Sequence, residues 1–126
     1  MLMTDDLWKA LLHFKPSEFA SPAKMQWDLL VRLDRMRIRA GIPLVITSSY
    51  RSPERNDAVG GADDSAHMRG YAVDIRCNTS RNRFRVLRAA YLENFNRIGV
   101  YATHVHVDCD PSLVGEVTWG PKDWTA

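Results

Sequence analysis

Cysteine is scarce in this chain. Cys77 and Cys109 are the two that occur in 126 residues, too few for a disulfide scaffold and not in C-x-x-C spacing, so neither a redox motif nor a zinc ribbon is indicated. No stretch approaches the ~18 consecutive apolar residues of a membrane span, so no membrane anchor is expected. The opening Met1-Leu2-Met3-Thr4-Asp5-Asp6 is acidic and lacks the positive leader and apolar run of a secretory signal, so the chain is expected to be cytoplasmic as synthesised. Internal repeats and low-complexity segments are absent. Lys and Arg number 17 against 15 Asp and Glu, a net charge of +2, and they form no block of the kind that tracks phosphates. Aromatics interleave with no such block, which argues against a nucleic-acid partner.

What is present is an ordinary globular composition, 45% hydrophobic and 25% charged, expected to form a single domain over residues 1–126. A chain of this size buries roughly two-thirds of its unfolded surface, enough for a core without metal or disulfide staples. Any metal site is therefore to be sought for its chemistry first.

Thr4 is placed to cap a first helix through Leu7, Trp8, Leu11 and Leu12 that ends before Pro16. Ser21 as cap and Pro22 at the first helical position open a second helix, with Met25, Leu29, Leu33 and Met36 on one face and Gly41 as its stop. Residues 43–50 read as a buried strand, followed by a long loop from Arg51 to about Ser65. Residues 71–77 make another strand. Beyond Asn78-Thr79-Ser80 a helix is expected with Phe84, Leu87 and Tyr91 inward and Arg81, Arg85 and Arg88 along a solvated face. Residues 98–101 and 103–109 complete the regular structure. Helices first, then strands broken by one long helix, indicate an α+β fold with a small, mainly antiparallel sheet and helices packed on one side.

Successive strand side chains point to opposite faces, so His104, His106 and Asp108 share a face while Val105, Val107 and Cys109 share the other. Asp74 likewise lies opposite Val73, Ile75 and Cys77. If these two strands are neighbours, a carboxylate and two imidazoles converge, and a turn at Gly70 can fold His67 over the same strand. Taken singly, a histidine is more often a surface or hydrogen-bonded residue than a ligand. Three of the chain's four histidines in two strand-edge motifs with an alternating Asp favour a metal, while His13 stands outside both and reads as an ordinary partly exposed residue. Two imidazoles and one carboxylate leave Zn2+ an open position for water, the arrangement of catalytic zinc. Both cysteines fall three residues after Asp74 or His106, which turns them away from the metal. They are expected as small buried thiols, to be linked only if they lie close together and meet an oxidising compartment.

Residues 65–74, Ser65-Ala66-His67-Met68-Arg69-Gly70-Tyr71-Ala72-Val73-Asp74, match the S-x-H-x-x-G-x-A-x-D signature of the zinc D-Ala-D-Ala carboxypeptidases and related peptidoglycan peptidases of the M15 type. The chain resembles that family, whose fold is shared with the Hedgehog signalling domain. Phe14-Lys15-Pro16-Ser17-Glu18-Phe19, Ile46-Thr47-Ser48-Ser49-Tyr50-Arg51-Ser52 and the run from Ile98 to Asp108 extend the resemblance over nearly the whole chain, with residues 111–126 least diagnostic. It implies His67, Asp74 and His106 as zinc ligands and Arg51 as the arginine that binds substrate or stabilises the tetrahedral intermediate. Ser65 is implied to act behind the ligands or on the substrate, and His104 near the metal, on the oxyanion or a proton. One position departs. Better-known members carry an acidic general base a few residues before the last histidine, often three, where this chain has Thr103. Asp108 on the metal face is the substitute, with His104 next; Asp108 is otherwise a carboxylate that orients a ligand imidazole. Glu54, Asp63 and Asp64 in the long loop are further carboxylates within reach if that loop folds over the cleft.

The resemblance implies a zinc metallopeptidase, monomeric, hydrolysing an amide bond in the peptide stem of peptidoglycan with a zinc-bound water as nucleophile. With no export signal, such a domain resembles a phage or prophage endolysin that reaches the cell wall after holin-type release. The alternative is a zinc-containing binding module of the same fold without turnover, which the vacant base position permits. A metal nuclease lacks the clustered carboxylates that hold paired Mg2+.

Overall fold

The computed structural model describes residues 1–121. Helices α1 (Asp5–Ala10), α2 (Trp27–Ala40), α3 (Pro53–Ala58) and α4 (Ser80–Leu92) accompany strands β1 (Ile46–Ser48), β2 (Ala72–Arg76), β3 (Arg97–Val100), β4 (His104–Asp108) and β5 (Val117–Trp119). The strands form one sheet in the order β1-β2-β4-β3-β5, antiparallel except for the β3–β5 pair. This is the expected α+β architecture. Among the described residues no helix is long and apolar enough to cross a membrane.

Period-2 alternation in β2 and β4 divides the sheet. Val73, Ile75, Val105 and Val107 are fully buried in a core shared with Leu29, Leu30, Leu33 and Met36 of α2 and Val86, Ala89 and Ala90 of α4. The opposite face carries Asp74 and His106 into an open cleft. One face of the sheet thus holds the domain together, and the other is free for chemistry.

Several elements differ from the sequence expectation. Ser21 does not cap α2: it adopts a left-handed conformation (φ 49°), residues 22–24 form a separate 3-10 turn, and the cap position belongs to Gln26. The amides of Met3 and Trp27 bond to the carbonyls of Met25 and Met1, and that of Gln26 to Gly70, so tertiary pairing holds residues 25–26 extended. Helix α1 ends at Ala10, with Thr4 as its cap, and Leu12 is 82% exposed. The strand expected over 43–50 pairs at Ile46–Ser48 alone. Within the supposed loop lies α3, capped by Ser52 with Pro53 in its first turn, a six-residue helix too short to show a period.

On α4, Phe84 and Tyr91 are 61% and 54% exposed instead of inward. The inward stripe is Val86, Ala89 and Ala90, whose small side chains let α2 and α4 approach closely. Arg81 and Arg88 lie on the exposed surface, the Arg88 guanidinium 5.4 Å from the Phe84 ring.

The two long helices are fastened by one carboxylate. Glu93, buried just past α4, accepts from Arg35 Nε (2.9 Å) and from Arg39 Nε, both on α2, while Arg32 donates to the Asn94 carbonyl (3.1 Å). Burial alone would raise the Glu93 carboxyl; the two arginines outweigh it and hold it below its ordinary value of 4.5. A depressed folded-state pKa stabilises above the unfolded pKa, and that contribution disappears as pH falls through the folded value. Glu93→Gln should cost about 1–3 kcal/mol in urea unfolding at pH 7, with a flatter loss of stability than wild type as pH falls below 4.5.

Cys77 and Cys109 are both free and lie at opposite ends of the β2–β4 ladder. The amide of Cys77 bonds to Thr103 and that of Cys109 to Tyr71, which separates them by roughly 20 Å at the rise of a strand. That excludes a disulfide. Burial pushes the Cys77 thiol up and, with Asp108, Asp28 and Asp110 nearby, pushes Cys109 up to about 12, so neither is a ready thiolate. Mild oxidation should leave two alkylatable thiols per chain after denaturation, counted by mass.

Candidate metal centre

The site is built on the register of two strands. In the β2–β4 ladder Asp74 pairs directly with His106, and directly opposed residues project to the same face. His67 comes from the 3-10 turn at Ala66–Arg69, which Gly70 ends in the left-handed region (φ 76°). Gly70 is required twice over, since a Cβ there would also lie 2.0 Å from the Lys24 carbonyl oxygen. The His67 backbone is held at both ends: its N–H donates to Ser65 Oγ (3.3 Å) and its carbonyl accepts from the Arg51 amide (3.0 Å). Ser65 thus caps the turn that presents His67.

Hydrogen-bond partners decide which ring nitrogens carry protons. His67 Nδ1 lies 2.7 Å from the Ser49 carbonyl oxygen, which can only accept, so Nδ1 donates and Nε2 keeps its lone pair. His106 Nε2 lies 2.6 Å from Asp108 Oδ2, so that nitrogen donates and Nδ1 keeps the lone pair. Both free nitrogens face the same atom, Asp74 Oδ1, at 3.3 Å from His67 and 3.2 Å from His106. Three acceptor atoms from His67, Asp74 and His106 lie within 4.8 Å of one another. Atoms gathered in this way take up a positive charge between them, a proton or a metal ion. The set suits a metal with an open coordination position.

The surroundings reinforce that demand for positive charge. Burial alone would raise the Asp74 carboxyl, but hydrogen bonds with His106 and His67 and their charge outweigh it and hold it well below the usual carboxylate range. Burial likewise disfavours a charged His106, and its bonds to Asp108 and Asp74 overcome this, raising its pKa. Protons and metal therefore compete for the same lone pair. Arg51 Nη2 donates to Asp74 Oδ2 (3.2 Å), its Nε to Ser48 Oγ (3.1 Å) and its Nη1 to Asn56 Oδ1 (3.5 Å).

A cleft of about 400 Å³ opens over these atoms, lined also by His104, Asp64, Tyr101, Arg97, Leu113 and Trp119. A profile of the peptidase M15 family matches residues 4–110. The chain belongs to the peptidase M15 family. A comparison with curated proteins finds no match. The family is one of metallopeptidases, and the His67, Asp74 and His106 group of this M15 chain is placed to hold a metal.

The remaining sequence candidates divide. His104 sits on the same strand face as His106 and lines the cleft, its ring stacked on Tyr101 at 4.6 Å. Asp108 is engaged on both oxygens: Oδ1 accepts from Arg97 Nε (2.7 Å) and the Asp110 amide (3.3 Å), and Oδ2 accepts from His106. Among the three loop carboxylates Asp64 lines the cleft, whereas Glu54 and Asp63 do not. Arg97, Tyr101 and Trp119 also line the cleft, and the sequence pattern does not single them out as site residues. The available signal was Gly99, a glycine inside a strand, which marks close approach of another group. The Ser49 carbonyl had no signal, because every residue carries one.

In this M15-family chain Asp108→Ala should weaken divalent-metal affinity by about 10- to 100-fold, the usual consequence of removing the partner that orients a ligand imidazole, as measured by competition with a chelating dye.

Proposed function

We propose that this chain is a zinc peptidase that hydrolyses an amide bond in the peptide stem of peptidoglycan. The observation that carries the reading is the convergence of His67, Asp74 and His106 at the floor of an open cleft in an M15 chain. His67 Nε2, Asp74 Oδ1 and His106 Nδ1 would hold the ion. Zinc, when bound, supplies a Lewis acid that brings the pKa of water to roughly 7 and polarises a carbonyl.

The rest falls to the chain's own side chains. Asp108 is a positioning residue: with both oxygens engaged and only 1% of its surface exposed, it fixes the His106 ring. His104 then carries the proton from the attacking water to the departing amine, its ring steadied by Tyr101. Arg51 orients Asp74 and turns its remaining N–H groups toward a carbonyl or carboxylate of the peptide. Ser65 acts through His67.

A second reading, a zinc-containing binding module without turnover, draws on Thr103 at the position where better-known relatives carry an acid. The two separate on one assay. Purified peptidoglycan is incubated with zinc-loaded protein, chelator-treated protein and His67→Ala protein, and soluble fragments are identified by mass. Stem-peptide cleavage by the zinc-loaded protein alone is the expected result; equal silence from all three leaves the binding module.

A further inference from the structure

Across the strand order, Asp74 and His106 occupy the middle, Arg51 follows β1 on one flank, and Tyr101 follows β3 beside Trp119 of β5 on the other. The Trp119 indole Nε1 lies 2.7 Å from the Tyr101 hydroxyl oxygen. An indole N–H can only donate, so the phenol oxygen accepts and its own proton is left to point elsewhere. That hydroxyl makes no other hydrogen bond among the described residues.

The phenol is held as well as oriented. Its ring stacks on His104 with an interplanar angle of 11°. The Trp119 ring lies 5.2 Å from that of His106, with the Arg97 guanidinium 5.3 Å away. Gly99, paired with Trp119 in the parallel β3–β5 ladder, makes room for both aromatics: a Cβ there would lie 2.6 Å from Trp119 Nε1 and 2.9 Å from Tyr101 Cε2. The result is a fixed donor with an uncommitted proton in the wall of the metal cleft. Arg51, on the opposite flank, spends one N–H of each nitrogen on Ser48, Asn56 and Asp74, which leaves two of its five for the peptide.

We propose that Tyr101 is a catalytic residue, its hydroxyl donating a hydrogen bond to the carbonyl oxygen of the scissile amide as that oxygen gains negative charge, with Trp119 and Gly99 as its positioning residues. The assignment rests on the peptidase reading of the cleft. In the reaction, water adds to the carbonyl carbon and the C=O electron pair moves onto oxygen. The pair then returns, the C–N bond breaks, and the amine leaves with a proton from the water. Tyr101 keeps its proton throughout. A donor already in place at the developing charge needs no reorganisation, which makes such groups effective. The family match ends at residue 110, so β5 and Trp119 lie beyond it.

The test pairs kinetics with binding. Zinc-loaded wild type, Tyr101→Phe and Trp119→Phe are compared on soluble stem peptides, and by calorimetry for binding of phosphinate isosteres of the D-Ala-D-Ala and L-Ala-D-Glu bonds, which present a tetrahedral anion. Tyr101→Phe should lower kcat on the order of 10- to 100-fold with KM changed by less than about threefold, and weaken phosphinate binding by a similar factor. Zinc content and Tm should stay at wild-type values, and Trp119→Phe should shift both readouts in the same direction by less. Unchanged kcat and phosphinate affinity in Tyr101→Phe overturn the assignment while leaving the peptidase reading intact, as does a loss confined to KM. A wild type that binds the phosphinates but cleaves no stem peptide overturns the peptidase reading and the catalytic assignment with it. A wild type that neither cleaves nor binds overturns both.

Discussion

The structure depends on the antiparallel pairing of β2 with β4. That ladder sets Asp74 opposite His106 and buries Val73, Ile75, Val105 and Val107 beneath the two long helices. Because the side-chain period of a strand is 2, a slip of one residue in either strand would move the carboxylate and the imidazole to the core side and the valines to the cleft. Burial of the apolar set therefore enforces the alignment of the ligand set. The hydrophobic effect, which is indifferent to direction, becomes a precise positioning device here because the backbone couples the two faces.

Around that ladder each reactive group is held by a second group that fixes its direction. Ser49 and Asp108 each hold one ring nitrogen of His67 and His106, so the other nitrogen of each ring turns inward toward Asp74. Arg51 occupies the outer oxygen of Asp74. Arg97 pairs with Asp108 and keeps it beside the imidazole. Trp119 does for Tyr101 what Asp108 does for His106: it takes one hydrogen-bonding capacity of the group and leaves the other facing the cleft. The site is thus two layers deep, and the outer layer comes from segments far apart in sequence.

How much of this was legible in the sequence follows from the range of each interaction. The alternating faces of residues 72–76 and 104–108, the turn at Gly70 and the apolar stripe of α2 are local consequences of backbone geometry, and they stand where the pattern put them. Short-range patterns misled where a tertiary contact outcompeted them. Ser21 and Pro22 form a good helix start, yet the Met25 carbonyl accepts from the Met3 amide and the Gln26 amide bonds to the Gly70 carbonyl. Phe84 and Tyr91 are apolar at helical spacing, but close packing of α4 on α2 favoured the stripe of small residues.

Residue by residue, the sequence determined which chemistries were present: two histidines and an aspartate on strands, a histidine in the turn before β2, an arginine after β1, and a glycine where Trp119 and Tyr101 needed space. Tertiary structure decided which of those groups meet and which ring nitrogen each imidazole turns to the cleft. Asp108 and His106 share a strand face by sequence alone, but the Arg97 that occupies one Asp108 oxygen arrives through the β3–β4 ladder. Likewise Trp119 reaches Tyr101 only because β5 joins the sheet in parallel beside β3. Side-chain type and periodicity are properties of a few neighbouring residues, whereas the direction of a lone pair depends on a partner that only the folded chain brings near.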